Sequence, residues 1–223
     1  MSLSIPVITI DGPSGVGKGT LAQFLVQQTG FHLLDSGAIY RVLALGAVQD
    51  GIALDDVTKL VALANALPVE FIGADIFYNK EDVTTKIRTE EIAGVASAIA
   101  VIPEIREALL ARQKAFATMP GLIADGRDMG TVVFSTAQIK FYLTASAEIR
   151  AQRRVKQLKS QGVNANIDQI TRDIEIRDER DLNRKTAPLK PAEDAIVMDT
   201  SHLDIDAVCQ KALSLVKKQK MIA

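Results

Sequence analysis

The sequence predicts an α/β fold, a five-stranded parallel sheet with helices on both faces. Three observations carry the prediction. Short, mostly apolar runs recur along the chain, as strands covered on both faces require. Each is followed by a stretch of helical periodicity. The first run passes into its helix through a glycine-rich turn.

Taken in order, Val7-Ile8-Thr9-Ile10 is the first strand, with a helix over Lys18 to Gln28 beyond the turn. His32-Leu33-Leu34 is the second, ending at Asp35 and leading into a helix from Gly37 to Val48. Leu122-Ile123-Ala124 is the third and ends at Asp125. Ile139 to Leu143 is the fourth, ahead of a charged helix from Ala147 to Ser160. Ala195 to Met198 is the fifth, before a last helix near Asp206 to Lys218 with Val208, Ala212, Leu215 and Val216 on one face. One segment breaks the rhythm. Val69-Glu70-Phe71-Ile72, Gly73-Ala74-Asp75 and Ile76-Phe77-Tyr78, followed by Asn79-Lys80, read as a small β-hairpin insert. With no repeat and no low-complexity linker, the expectation is one domain carrying an appendage. Ligands of such a sheet bind beyond the carboxyl ends of its strands.

Composition excludes several classes. Of 223 residues 48% are hydrophobic and 24% charged, which suits a globular core and not a disordered chain. A net charge of −1 gives no strong overall attraction to nucleic acid or to an anionic membrane. Cys209, the single cysteine, has no partner for an internal disulfide, which favours a reducing compartment. Met1-Ser2-Leu3-Ser4-Ile5-Pro6 has neither a basic stretch nor a cleavage site, so no signal peptide is read. The uncharged stretch Ile92 to Pro103, roughly a dozen residues, is too short to span a bilayer. The expectation is a cytoplasmic monomer without membrane or nucleic-acid partners.

Gly12-Pro13-Ser14-Gly15-Val16-Gly17-Lys18-Gly19-Thr20 follows a strand and opens a helix. Glycines let backbone N–H groups turn inward around phosphates, the helix N-terminus adds positive potential, and Lys18 reaches the β- and γ-phosphates of ATP. The spacing, the lysine and both flanking elements favour this P-loop over a mere linking turn. Gly19 stands where the generic P-loop has Ser or Thr, and Thr20 follows it, which weakens any claim for a metal-holding hydroxyl at the usual place. The GKGT ending is similar to that of nucleoside monophosphate kinases. Asp125 at its strand end either orients the water shell of Mg²⁺ or simply closes an Asp125-Gly126 turn.

A hydroxyl acceptor calls for a general base, whereas a phosphate acceptor is already ionised and calls for arginines to hold two polyanions together. Neither His32, in a strand-like run, nor His202, in a polar turn, reads as that base. Ser36 opens a helix that carries Arg41 one turn in; it either caps that helix or binds a ligand, and the two roles are compatible. Arg127 and Asp128 lie just past a strand end, in a surface turn or a cleft. Ile167, Ile170 and Ile174 step by three and four as a buried stripe, and the stepping continues through Arg177, Asp181 and Arg184. That face either runs from the core into a polar cleft or ends in a solvated ladder of ion pairs. Arg150, Arg153, Arg154, Lys156 and Lys159 form a basic run, read as a solvated face or, in a P-loop kinase, as an arginine-bearing segment closing over ATP.

ITIDGPSGVGKGT, LLDSGAIYR, GLIADGRDMGTVVF and IEIRDERDLNRKTAPL together resemble bacterial-type cytidylate kinases, over essentially the whole chain and in order. The stretch IRTEEIAGVASAIAVIPEIREALL and the β insert agree with that family. The resemblance implies ATP-dependent phosphorylation of CMP and dCMP with Mg²⁺. It implies that Ser36, Arg41, Arg127 and Arg184 bind the acceptor phosphate, and that Ser97, Arg106 and Asp128 read the cytosine edge. Arg177 and Asp181 would contact the ribose, with Arg153 and Arg154 in a lid over ATP. Its layout would be a core of residues 1–35, 110–150 and 186–223, a monophosphate-binding region of about 36–109 and a lid of about 151–185. Rival readings are a P-loop kinase for UMP or a shikimate-like hydroxyl acid, a GTPase-type switch and a nucleic-acid-handling ATPase. The switch predicts an Asn-Lys-x-Asp element that Asn183-Arg184-Lys185-Thr186 does not supply, and the ATPase predicts a basic surface.

Overall fold

A computed structural model describes residues 5–219 apart from 74 and 161. The chain divides into two compact units, one built from the segments up to Leu34 and from Phe116 onward, the other from Asp35–Ala115.

In the first unit β1 (Val7–Asp11) is the centre of a five-stranded sheet. The others are β2 (His32–Asp35), β6 (Leu122–Gly126), β7 (Ile139–Thr144) and β8 (Ile196–Asp199), in the order β2-β6-β1-β7-β8. β1 pairs in parallel with β6 and β7, and β7 with β8. Parallel neighbours need crossovers, supplied here by helices that lie on the sheet. α1 (Lys18–Thr29) and α8 (Ile205–Lys218) close over Ile8, Ile10, Phe141 and Leu143. α1 contributes Leu21, Ala22 and Leu25 to that core, and α8 contributes Val208, Ala212 and Val216. The period-2 alternation of β1 sends Thr9 and Asp11 to the other face, where they meet a π-helical turn over Met129–Val133. α6 (Ala147–Ser160) and α7 (Ile167–Leu182) pack along each other.

The second unit holds α2 (Ser36–Gln49), α3 (Val57–Ala66), α4 (Glu90–Ile99) and α5 (Pro103–Lys114). Its antiparallel sheet is β3 (Val69–Ile72), β4 (Asp75–Tyr78) and β5 (Glu81–Asp82). The predicted hairpin is therefore present with one short strand more; Ala74 in its turn lies outside the described residues. Asp56 and Thr89 cap α3 and α4 by accepting the Lys59 and Ile92 N–H groups, and Pro103 opens α5 where no N–H is needed. Gly46 lets the hairpin seat on α2, since a Cβ there would lie 2.5 Å from the Tyr78 hydroxyl.

Two expectations are corrected. The isoleucine stripe of α7 is not buried: Ile167 is 44% exposed and Ile170 and Ile174 are only half-buried, whereas Asp181 is 6% exposed. α7 packs on charged α6 and not on the sheet, so its apolar end has no core to enter. α7 also stops at Leu182 with Asn183 as its C-cap, which leaves Arg184 beyond the helix, buried and not on a solvated ladder.

Candidate active site

The glycine-rich turn after β1 is shaped by close approach. Gly12 has φ +145°, and a Cβ on it would fall 2.1 Å from the Leu143 carbonyl oxygen of β7, so no other residue fits. Gly17, left-handed at φ 93°, is the N-cap of α1 and brings no side chain to its first N–H groups. A helix N-terminus without a capping side chain suits an anion. Lys18 is 7% exposed; its Nζ donates to the Pro13 carbonyl at 2.9 Å and stands 3.8 Å from Asp125 Oδ1. Burial first, then the nearby Arg127 cation, lowers its pKa to about 8.

Asp125 Oδ2 would lie 3.7 Å from a Cβ on Gly19, so residue 19 of the P-loop is beside that carboxylate. Among the described residues no set of three or more His, Cys, Asp or Glu side chains could hold a metal by itself. One carboxylate oxygen donor beside a phosphate cradle does fit Mg²⁺, which keeps several waters and takes its remaining ligands from nucleotide phosphates.

Past the end of β6, Arg127 Nε donates to Asp181 Oδ2 at 2.9 Å. Arg184 Nη2 lies 3.5 Å from Asp181 Oδ1, and its Nε donates to the Asp181 carbonyl at 3.2 Å. Burial opposes the Asp181 anion, but Arg127 and then Arg184 outweigh it and hold the carboxyl below its ordinary pKa. Burial likewise opposes the Arg127 cation, and Asp181 more than restores it. The structure thus joins Arg127, Asp181 and Arg184 in one cluster. Arg177, half-buried one turn back, bears electrostatically on both Lys18 and Asp181. Asp128 is buried beside them in sequence. On α6, Arg153 donates to the Thr200 hydroxyl at 3.1 Å and to its carbonyl, and Arg154 to Gln157 Oε1 at 2.8 Å.

In the second unit the N-cap of α2 is Asp35, not Ser36. Asp35 Oδ1 accepts the Ala38 N–H at 2.9 Å, and Oδ2 takes Arg41 Nη2 at 2.9 Å. Gly37 leaves room for that fold-back, since a Cβ there would sit 3.1 Å from Arg41 Nη1. Ser36, freed from capping, donates its hydroxyl to Gln113 Oε1 at 2.7 Å. Ser97 is 6% exposed, and its buried Oγ has no hydrogen-bond partner among the described residues. Arg106 stands 5.9 Å above the Tyr40 ring centre and donates to the Ala100 carbonyl at 3.3 Å.

Asp11 was not among the expected site residues. It precedes the P-loop, and its two carboxylate oxygens accept the Met129 N–H at 2.8 Å and the Gly130 N–H at 2.7 Å, just past Arg127 and Asp128. The one signal in sequence was an acid ending a strand whose alternation aims it off the core face. Burial, against the two N–H bonds, pushes its pKa up from 3.8 to about 7. The native state therefore keeps a proton that the unfolded chain loses near 3.8. Its stabilising contribution is whole below that value and is lost as pH rises through about 7. Asp11→Asn has no such dependence. Urea unfolding should show the stability gap between parent and variant narrowing by about 3 kcal/mol from about pH 5 to about pH 8. A widening gap would mean that the fold favours the carboxylate.

A family model described as cytidylate kinase matches residues 8–218. The chain is 56% identical over 216 residues to the cytidylate kinase of Pasteurella multocida (strain Pm70), covering 95% of each. Its identity to that of Shewanella loihica (strain ATCC BAA-1088 / PV-4) is 54% over 224 residues, 98% of this chain and 97% of the relative. The counterpart in Shewanella putrefaciens (strain CN-32 / ATCC BAA-453) is 55% identical over 225 residues, 98% of each. The family model spans the glycine-rich turn, the strand-end arginines and the β insert, these relatives cover 95% or more of the chain, and on that ground the chain belongs to the cytidylate kinase family.

Proposed function

We propose that the chain transfers the γ-phosphoryl group of ATP to the phosphate of CMP or dCMP, giving ADP and CDP or dCDP by direct in-line displacement. The observation that carries this reading is buried Lys18 at the head of the P-loop with Arg127 and Arg177 near it: burial first, and then those two cations, lower its pKa, so a polyanion is favoured beside them. An oxygen of the acceptor phosphate forms the new bond to the γ-phosphorus. The bridging P–O bond breaks, and its electrons leave on the β-phosphate of ADP. Because a phosphate monoester is largely dianionic at neutral pH, no general base is required.

The P-loop over Gly12 to Thr20, through its backbone N–H groups and Lys18, holds the donor phosphates, and Arg127 and Arg184 of the same unit hold the acceptor phosphate; in the second unit Ser36 and Arg41 are the phosphate-binding candidates. Ser97 and Arg106 are the second unit's candidates for the base, and in the first unit Asp128 is the base candidate and Arg177 and Asp181 the ribose candidates. Asp125 would hold, through water, the Mg²⁺ that accompanies ATP, and that ion would supply neutralisation of the phosphate charge. Arg153 and Arg154, in the lid segment 151–185, close over ATP and exclude water. No described helix is long and apolar enough to cross a membrane.

Coupled ADP release should be strongly stimulated by CMP and dCMP, and weakly or not at all by UMP, AMP and shikimate. Lack of stimulation by either cytidine nucleotide overturns the reading. Stimulation by shikimate alone would move the chain to the hydroxyl-acceptor kinases.

A further inference from the structure

Arg150 stands apart from the other basic residues of α6. It is 4% exposed where Arg153 and Arg154 are half-buried, and four of its five N–H groups are already spent within the protein. Nε donates to the Ala145 carbonyl at 3.0 Å and shares the Ser146 carbonyl at 3.3 Å. Nη1 reaches the Ser14 carbonyl of the P-loop at 3.2 Å and Asp178 Oδ1 at 3.1 Å, and Nη2 closes the fork on Asp178 Oδ2. The stem lies under the same loop, since a Cβ on Gly15 would come 3.2 Å from Arg150 Cβ. A guanidinium so committed has little left for a nucleotide phosphate.

We infer that Arg150 is a positioning residue, whose fork ties the Ser14 carbonyl of the P-loop to Asp178 of α7 and so sets the donor cradle and the acceptor-side cations in one frame. Asp178 follows Arg177 and sits one turn before Asp181, the partner of Arg127. It is also close enough to Arg127 to favour that cation. With the fork in place Asp178 is neutralised by Arg150. Without it, an unpaired Asp178 competes with Asp181 for Arg127, and the P-loop loses the donor that holds Ser14. Planarity matters, because a lysine offers one point charge where the fork serves a carboxylate and a carbonyl at once.

This role rests on the proposed reaction, so the parent protein is assayed first. CMP-dependent ADP release by the parent tests that reading, and only the variants test Arg150. Arg150→Lys and Asp178→Asn, both close in size to the originals, should each lower kcat about ten- to a hundredfold, on the scale of a 1 Å misplacement. KM for ATP should stay within about threefold. Arg150→Lys/Asp178→Asn together should be no slower than the worse single variant, since one pair is removed once. A rise in KM for ATP at unchanged kcat would make Arg150 an ATP ligand and overturn the inference. Additive losses in the double variant would do the same, as would a lowered urea midpoint with kcat intact.

Discussion

Lys18→Met is expected to cut kcat about a thousandfold while the protein melts no lower than the parent. The rate loss follows from charge, since removing one preorganised transition-state donor costs about 10²–10³, and the proposed reaction sets Lys18 against the donor phosphates. The stability half follows from burial. Desolvation and the neighbouring Arg127 lower the pKa of Lys18, so the free protein bears a cost for keeping it charged. Methionine keeps the apolar stem and removes that cost; the Pro13 carbonyl loses its 2.9 Å donor in exchange. Steady-state rates and a thermal melt on one preparation check both halves. A rate within tenfold of the parent would remove Lys18 from the phosphate cradle, and a normal rate with a lowered melt would make it a structural lysine.

Arg127→Ala is expected to lower kcat/KM for CMP about 10²–10³-fold and to leave the Kd for ATP within a few-fold. Arg127 contacts its own unit through a single carboxylate, Asp181 Oδ2, and the backbone of Gly126, which leaves donors for a phosphate. Asp181 keeps Arg184 at 3.5 Å, so the variant still offers that anion a cation and should fold. Arg127→Lys keeps the charge without the fork and should fall between parent and Ala. Isothermal titration with ATP beside CMP saturation curves separates the two sides of the reaction. Equal losses for ATP and CMP would put Arg127 on the donor side instead.

The elements that could be read ahead were those whose signal is local. Val7–Ile10, Leu122–Ala124 and Ile139–Leu143 are mostly apolar, with Thr9 and Lys140 as exceptions, because both faces of those strands are covered, and each lies within a strand of the sheet. α6 ends where its charged run ends, at Ala147 and Ser160. The isoleucine stripe of α7 misled for a physical reason. Periodicity reports that one face is apolar, not what lies opposite it, and charged α6 lies there in place of the sheet. Ser36 against Asp35 as cap was a choice of one residue, decided when Arg41 folded back onto Asp35. Cytosine and CMP were legible only through resemblance to a family. Nothing in residue spacing tells a reader that a helical serine such as Ser97 has a buried, unmet hydroxyl.

Sequence alone settled what is encoded within a dozen residues: the strand periods, the glycines that permit Gly12 and Gly17 their backbone, and the lysine that follows them. Tertiary structure alone decided the contacts that span the chain. Asp11 meets Gly130 across 119 positions, and Arg150 meets Ser14 across 136. No local pattern marks either pair, because each is made by strand order and helix packing, which bring distant backbone groups to one carboxylate and one guanidinium. The chemistry of the P-loop is local. Its placement relative to Arg127 and Arg184 of the same unit is not.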